Sequence, residues 1–205
     1  MRFVIAIICG FASGLWAIVE ETELDRTEQI YSNYENLLIR RADVHYHAGE
    51  FAQSANIFQI LHGMHPDDTN LARNWAWMLG NAEEFDEAFS VMISYRLMHP
   101  SDVWAALGEA ELFVQKARAE DRVPRIGPSE TGSPLWWRVP PLLEPHLEKR
   151  DIPLTAFTFL SASYEKVGLL REALRVWEIR KARFPDDPAC TPNISRLQNL
   201  LGKRG

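Results

Sequence analysis

The chain has 205 residues, of which 46% are hydrophobic and 24% charged, a balance that suits one globular domain with a sizeable core and argues against general disorder. The formal net charge of −6 is the sum of −8 in residues 1–100 (6 basic against 14 acidic side chains) and +2 in residues 101–205 (16 against 14). The acidic first half argues against nucleic-acid binding, which requires a basic face, and indicates a solvated acidic surface or an acidic docking face.

The N-terminus carries a targeting pattern. Met1 and Arg2 are followed by the apolar run FVIAIICGFASGLWAIV and then by the acidic stretch EETELD. A basic start, an apolar run and an acidic exit are typical of a secretory signal or an uncleaved membrane anchor, and we predict one of these over residues 1–22. Because Arg2 would stay in the cytoplasm, the rest of the chain would be exported or anchored on the non-cytoplasmic side. The alternative is a buried N-terminal helix.

Four segments with apolar residues at three- and four-residue spacing follow, and this spacing predicts four helices. The first covers residues 25–48 and stops at Gly49, a residue that suits a helix C-cap. The others cover about residues 51–64, 70–80 and 85–98. The turns between them are so short that consecutive helices must pack antiparallel as hairpins.

The same helix-ending motif returns at a fixed period. GMHPDD and LMHPSD place Pro66 and Pro100 34 residues apart, and the same shift lays Gly49 over Glu83. A later segment follows the same spacing with Tyr164, Gly168, Leu170, Ala173, Trp177 and Pro185. In period and apolar signature the chain resembles the tetratricopeptide repeat (TPR), a 34-residue helix–turn–helix unit. It departs from that pattern at Ser54, where Ala is usual, and at Glu83, where Gly is usual.

The resemblance implies an all-α fold, a right-handed α-solenoid of about four TPR-like hairpins over residues 23–205 with a C-terminal capping helix. One hairpin cannot bury its apolar face alone, so neighbours stack, and small residues lie where helices approach closely. Ala88 and Ala173 occupy such places. Near the C-terminus, Thr191 suits an N-cap with Pro192 at the first helical position, which predicts the start of the capping helix.

Residues 101–152 depart from the spacing. The segment VWAALG opens like another repeat, but five prolines follow where its partner helix is expected. We predict a Pro/Gly-rich loop at about residues 122–140, either inserted between the two helices of one repeat or linking two pairs of repeats. Its Trp136 and Trp137 are costly to leave in water. They either staple the insertion onto the solenoid or present an anchor to a partner.

No residue pattern predicts catalysis or metal binding. His45 and His47 are two apart and point to different faces of a helix, whereas His62 and His65 can share a face but have no third ligand nearby in sequence. Cys190 suits a small apolar filler. No phosphate-binding loop, nucleophile elbow or zinc-protease motif is present. We therefore predict no catalytic residue, no metal, no cofactor and no small-molecule substrate.

The sequence supports binding of a partner protein better than it supports catalysis. In proteins that this chain resembles, the first helices of successive repeats line a concave groove that holds a peptide or a partner helix. The resemblance implies these groove-facing residues: Asn36, Ile39, Asp43, Tyr46 and His47; Asn70, Arg73, Trp77 and Asn81; Thr155, Thr158, Ala162, Glu165 and Lys166. From these and the loop we predict partner binding by Tyr46, His47, Asn70, Arg73, Trp77, Asn81, Trp136 and Trp137. The alternative for Trp77 is packing against the next hairpin.

The predicted function is a non-enzymatic scaffold or chaperone, exported or membrane-anchored through its N-terminal segment, that binds a protein in an envelope or secretion assembly. The predicted groove is mixed and partly acidic, which argues against capture of an acidic C-terminal tail. One alternative is a cytoplasmic adaptor whose leader is only a hydrophobic helix. The other is a small metal-dependent helical enzyme that uses His62, His65 and the acidic turn.

Overall fold

The computed structural model describes residues 26–122 and 133–203, so the predicted leader, residues 1–22, and residues 123–132 of the predicted loop lie outside the described residues. The described ranges are helical and contain no strand. Their α-helices are residues 26–47 (α1), Phe51–Met64 (α2), Thr69–Asn81 (α3), Phe85–Met98 (α4), Val103–Arg122 (α5), Pro140–Leu143 (α6), Leu154–Lys166 (α7), Leu170–Arg183 (α8) and Cys190–Gly202 (α9). Two short 3₁₀ turns, Pro134–Arg138 and Glu144–His146, flank α6.

The three hairpins α1–α2, α3–α4 and α7–α8 turn in the same way. At each turn one residue has a left-handed backbone, with φ of 76° at Gly49, 65° at Glu83 and 83° at Gly168. The next amide donates to the carbonyl five residues before it, from Glu50 to His45, from Glu84 to Leu79 and from Leu169 to Tyr164. This pairing is the Schellman ending of a helix. The alignment of Gly49 with Glu83 is therefore confirmed, although Glu83 adopts a conformation that glycine adopts more readily.

The recurring proline motif is also explained by backbone hydrogen bonds. The aspartate that closes each motif donates its N–H to the carbonyl three residues before it, at Asp68, Asp102 and Asp187. Its carboxylate then accepts the backbone N–H two residues ahead, at distances of 2.8 Å to Asn70, 2.8 Å to Trp104 and 2.9 Å to Ala189. A carboxylate in this place satisfies amides at a helix start that have no partner within the helix. One motif thus ends one hairpin and starts the next helix.

The core has two parts that meet at α5. The first is built from α1 to α4 and includes Ala105 and Leu112 of α5, and the second is built from α5 to α9 and includes Leu107 and Val114. A helix with apolar residues on most of its circumference is expected to be buried. The position of α5 between the two parts therefore fixes the third hairpin, α7–α8, relative to the first two.

Small residues lie where paired helices approach closely. At equivalent places in the three hairpins the buried pairs are Ala42–Ser54, Ala76–Ala88 and Ser161–Ala173. In the outer two hairpins the serine also bonds across the helix pair, with Ser54 Oγ donating to the Ala42 carbonyl at 3.0 Å and Ser161 Oγ to the Ala173 carbonyl at 3.3 Å. Ser54 therefore replaces the usual alanine without leaving a buried hydroxyl unpaired.

Replacing Ala173 by Leu should destabilise the protein by about 1–3 kcal/mol, because the added methylenes overpack a contact at which Ala173 has no exposed surface. Urea denaturation followed by circular dichroism measures the change. The matched control is Ala182→Leu on the exposed face of the same helix, which should shift the midpoint little. An unchanged midpoint for Ala173→Leu would contradict the close helix contact.

The segment that follows α5 takes the place of its missing partner helix. The 3₁₀ turn Pro134–Arg138 and the short helix α6 both pack against α5 and α7. Here the structure differs from the loop prediction, since residues 134–138 form a 3₁₀ turn that buries Trp136. The side chain of Ser133 caps this turn by accepting the N–H of Leu135. We call residues 133–143 the inserted segment; that it lies within one repeat rather than linking two pairs of repeats stays a prediction.

The capping helix begins earlier than predicted. It starts at Cys190 rather than after Thr191, because Asp187 and not Thr191 accepts the free backbone amide, that of Ala189. Cys190 is fully buried, as predicted for an apolar filler, and burial raises the pKa of its thiol. Within residues 26–122 and 133–203 no helix is both long enough and apolar enough to cross a bilayer.

Candidate partner-binding groove

An open groove of about 720 Å³ runs across the first helices of three successive units, α3, α5 and α7. Its aromatic walls come from Trp77 on α3, Phe85 at the start of α4 and Phe159 on α7. The remaining lining residues are Gly80, Asn81, Glu83, Glu111, Val114, Gln115, Lys116, Arg118, Ala119, Glu120 and Arg122. Of the groove-facing residues that the TPR resemblance implies, Trp77 and Asn81 line this groove, and α5 supplies most of its floor.

The basic and acidic side chains of the groove differ in how far they are already engaged. Lys116 lies 5.4 Å from the ring centroid of Phe85, and the guanidinium of Arg118 lies 6.0 Å from that of Phe159. These two cations and Arg122 form no ion pair with a carboxylate in the described ranges, whereas Glu111 pairs with Arg73. The lining therefore carries both signs of charge, and Lys116, Arg118 and Arg122 on α5 present positive charge to an incoming segment.

The α5 residues are the part of the groove that sequence reasoning missed. Shifting Trp77 and Asn81 by the 34-residue period gives Glu111 and Gln115, and both line the groove. The signal was therefore present in the repeat spacing. It was not used because the third unit lacks a regular second helix.

Gln115 lies against a glycine in the floor of the groove. A Cβ atom at Gly80 would lie 2.3 Å from Oε1 of Gln115, so any other residue there would make the flexible end of the Gln115 side chain move. Oε1 is buried and has no hydrogen-bond partner within the described residues. A buried carbonyl without a donor is costly, and a bound segment that donates an N–H there would remove that cost.

Arg73 ties α3 to α5. Its Nη2 donates to both carboxylate oxygens of Glu111, at 2.9 and 3.0 Å, and its guanidinium lies 4.9 Å from the ring centroid of Trp104. Less than a fifth of either charged side chain is exposed. Burial raises the pKa of Glu111 and Arg73 partly opposes this rise. Arg73, predicted to bind a partner, is thus already paired within the protein.

Trp77 lines the groove and packs against aromatic residues of the first hairpin that lie outside it, among them the predicted Tyr46. The Trp77 ring centroid lies 5.5 Å from that of Tyr46 on α1, and Tyr46 in turn packs 6.0 Å from Phe51. Asn81 donates its side-chain amide to the Trp77 carbonyl at 2.9 Å. Trp77 is partly buried and still lines the groove, so it both packs against α1 and presents a face to the groove.

Other predicted residues lie outside the groove. His47 is exposed, with its Nε2 3.4 Å from a carboxylate oxygen of Asp43, and Asn70 lines a separate depression at the start of α3. On α7 the carboxylate of Glu165 pairs with Arg196, and Lys166 lies 3.3 Å from Asp121. The groove uses Phe159 on α7, next to the predicted Thr158.

The neighbouring tryptophans Trp136 and Trp137 differ in burial. Trp136 is 1% exposed, and its indole N–H donates to Asp121 on α5 at 3.0 Å. Lys166 of α7 lies over its ring at 5.8 Å. Trp137 is 52% exposed. Trp136 thus staples the inserted segment to the solenoid, and Trp137 is the member that a partner can reach.

Three of the histidines contact carboxylates or aromatic rings. His45 and His65 lie 2.6 Å from the carboxylates of Glu50 and Glu35, and His62 packs between two aromatic rings. Across residues 26–122 and 133–203 no three His, Cys, Asp or Glu side chains come close enough together to hold a metal ion.

The sequence matches no protein-family profile and no curated protein sequence. Solved structures share its fold. A thermophilic TPR protein of Thermus thermophilus, TTC0263, aligns at a TM-score of 0.58 and 16% identity, over 82% of this chain and 83% of that chain. MamA of AMB-1 aligns at a TM-score of 0.53 and 15% identity, over 82% of each chain. MamA of MSR-1 aligns at a TM-score of 0.53 and 13% identity, over 82% of this chain and 87% of that chain. The chain therefore has a TPR-like, all-α solenoid fold.

Proposed function

We propose that this TPR-like solenoid is a non-enzymatic scaffold or chaperone that binds a segment of a partner protein in the groove between α3, α5 and α7. The observation that carries the proposal is the groove itself, which is lined by aromatic side chains and by basic side chains that form no ion pair within the described residues, on helices held on both sides. Residues on such rigid elements lose little conformational freedom on binding.

The lining specifies the chemistry of the segment. An apolar side chain would pack between Trp77 and Phe159, and an acidic side chain would pair with Arg118 or Arg122, which are one helical turn apart on α5. The Gln115 carbonyl would accept an N–H from the segment. This proposal revises the expectation from sequence, which counted the α3 residues and omitted the basic residues of α5.

The single substitution that tests partner binding in the groove most strongly is Trp77→Ala. Once a partner is identified, this change should weaken its binding by about 2 kcal/mol or more, roughly 30-fold, because a large aromatic anchor is removed. Isothermal titration measures the affinity, and far-ultraviolet circular dichroism should show helicity retained. Trp137→Ala is the matched control and should have a smaller effect.

Two outcomes would contradict this prediction. Unfolding of Trp77→Ala would make Trp77 a core residue, as its contact with Tyr46 also allows. Loss of binding only in Trp137→Ala would assign recognition to the inserted segment.

We further propose that the solenoid acts on the non-cytoplasmic side of a membrane, exported or anchored by the leader. The support is the order of charges around the apolar run, with Arg2 before it and EETELD after it. A cytoplasmic adaptor is the alternative. Protease added to intact cells distinguishes the two, since only the exported protein is digested.

Deleting Met1–Val19 should yield a folded helical protein that no longer reaches the membrane, because no helix of the described ranges can span it. Membrane fractionation of the full chain and the deletion variant measures this. The control is a variant with Arg2→Glu, which keeps the apolar run and should disturb orientation rather than membrane association. A deletion variant that stays on membranes at high salt would refute the prediction.

A further inference from the structure

A second cavity, of about 280 Å³, lies on another face of the second hairpin and shares no lining residue with the groove. We call it the convex pocket and define it by His62, Trp75, Glu87, Ser90, Val91, Ser94, Tyr95 and Met98. Trp75 and Trp77 are two residues apart on α3, and positions two apart on a helix face different directions. The pocket is therefore a site separate from the groove.

The partly exposed rings of His62 and Trp75 form one wall of the convex pocket, and the buried ring of Tyr95, on which His99 stacks at 4.3 Å, lies behind them. The ring centroid of His62 lies 5.7 Å from that of Trp75 and 5.9 Å from that of Tyr95. Tyr95 is held in place because its hydroxyl donates to the Asp67 carbonyl at 2.7 Å. The thioether of Met98 adds a polarizable apolar surface. The volume lies below the usual range of small-molecule sites and suits a single side chain.

The charges around the convex pocket have one sign. Glu87 lines it and has no hydrogen-bonding or ionic partner in the described ranges, and no lysine or arginine lines it. Asp86 lies beside Glu87 in the first turn of α4. Burial lowers the pKa of His62, a shift that Asp68 opposes in part. At neutral pH the His62 ring is therefore uncharged and does not repel a cation.

We propose that the convex pocket binds the side chain of an arginine from a basic segment of a partner protein. Aromatic faces attract cations, and a planar guanidinium stacks on them better than an ammonium group does. Glu87 supplies the opposite charge at the rim, and the hydroxyls of Ser90 and Ser94 accept remaining N–H groups. This site is independent of the groove, so one partner can contact both faces of the hairpin.

The test uses three capped amino acids as probes: N-acetylarginine amide, its neutral isostere N-acetylcitrulline amide, and N-acetylleucine amide. The readout is the Trp75 indole N–H signal of the full chain, solubilised where necessary, in ¹⁵N NMR titrations. Arginine should give a saturable shift with an affinity about fivefold or more above that of citrulline, the gain expected from a cation at an aromatic and acidic site.

Two exposed carboxylates give a matched pair of variants. Glu87→Gln should lower the arginine affinity about three- to fivefold and leave citrulline unchanged, because only the charge interaction is lost. Glu84→Gln, outside the pocket, should change neither. Equal affinity for arginine and citrulline, tighter binding of leucine, or no saturable shift with arginine would each overturn the proposal.

Discussion

Trp136→Ala should lower the free energy of unfolding by about 3–5 kcal/mol, the usual cost of truncating a fully buried tryptophan. Trp136 is 1% exposed and lies in the second part of the core with Phe113 and Leu143. Its removal also leaves the carboxylate of Asp121 without the indole donor, which is one of the contacts that hold the pKa of Asp121 below its usual value. Urea denaturation followed by circular dichroism measures the loss.

The neighbouring residue provides the control for Trp136. Trp137 is the same residue type in the same 3₁₀ turn, but half of its surface is exposed. Trp137→Ala should therefore cost less than about 1 kcal/mol. Equal losses in the two variants would show that the inserted segment is not anchored through Trp136.

Arg73→Met should destabilise the protein by about 3 kcal/mol near neutral pH, because it leaves Glu111 buried without its partner. The direction in which stability changes with pH follows from the pKa of Glu111. Burial raises the pKa of Glu111 in the folded protein above the ordinary value of 4.5. Protonated Glu111 therefore favours folding, and the folded protein loses this stability as the pH rises. Without Arg73 the pKa rises further and the penalty at neutral pH grows. The stability lost in Arg73→Met should therefore be smaller at about pH 4, where Glu111 is mostly protonated in both the folded and the unfolded protein.

Denaturation at the two pH values tests this prediction. The control is the double variant Arg73→Met/Glu111→Gln, which removes the uncompensated charge and should recover most of the stability at neutral pH. If Arg73→Met loses the same stability at both pH values, the charge of Glu111 is not the cause. Arg73 would then act through its packing on Trp104.

The repeat spacing predicted the hairpins because each of its markers has a local physical role. Gly49 and Gly168 adopt the left-handed backbone that ends a helix, and the residue that aligns with Gly49, Glu83, adopts it as well. Ala88 and Ala173 are fully buried at the predicted close contacts. Such features depend on neighbours in the chain, so a sequence reveals them.

The parts that the sequence did not reveal depend on contacts between distant residues. Trp136 could be read as a staple or as an anchor until its indole was found on Asp121, fifteen residues earlier. Arg73 had the chemistry of a binding residue, yet Glu111 lies on the next unit and occupies its guanidinium. The predicted apolar stripe of α1 is buried only at Leu38 and Ala42 within the described part of the chain.

The central claim is that the groove between α3, α5 and α7 holds the partner segment, and site-specific photo-crosslinking tests it most directly. A photoreactive residue is placed at Ala119, which is exposed and lines the groove, or at Gln198, which is exposed on α9 and lines neither the groove nor the convex pocket. The proposal predicts a partner adduct from position 119, absent when Trp77→Ala is combined with it, and no adduct from position 198. An adduct of equal yield from both positions, or from position 198 alone, would contradict binding in the groove.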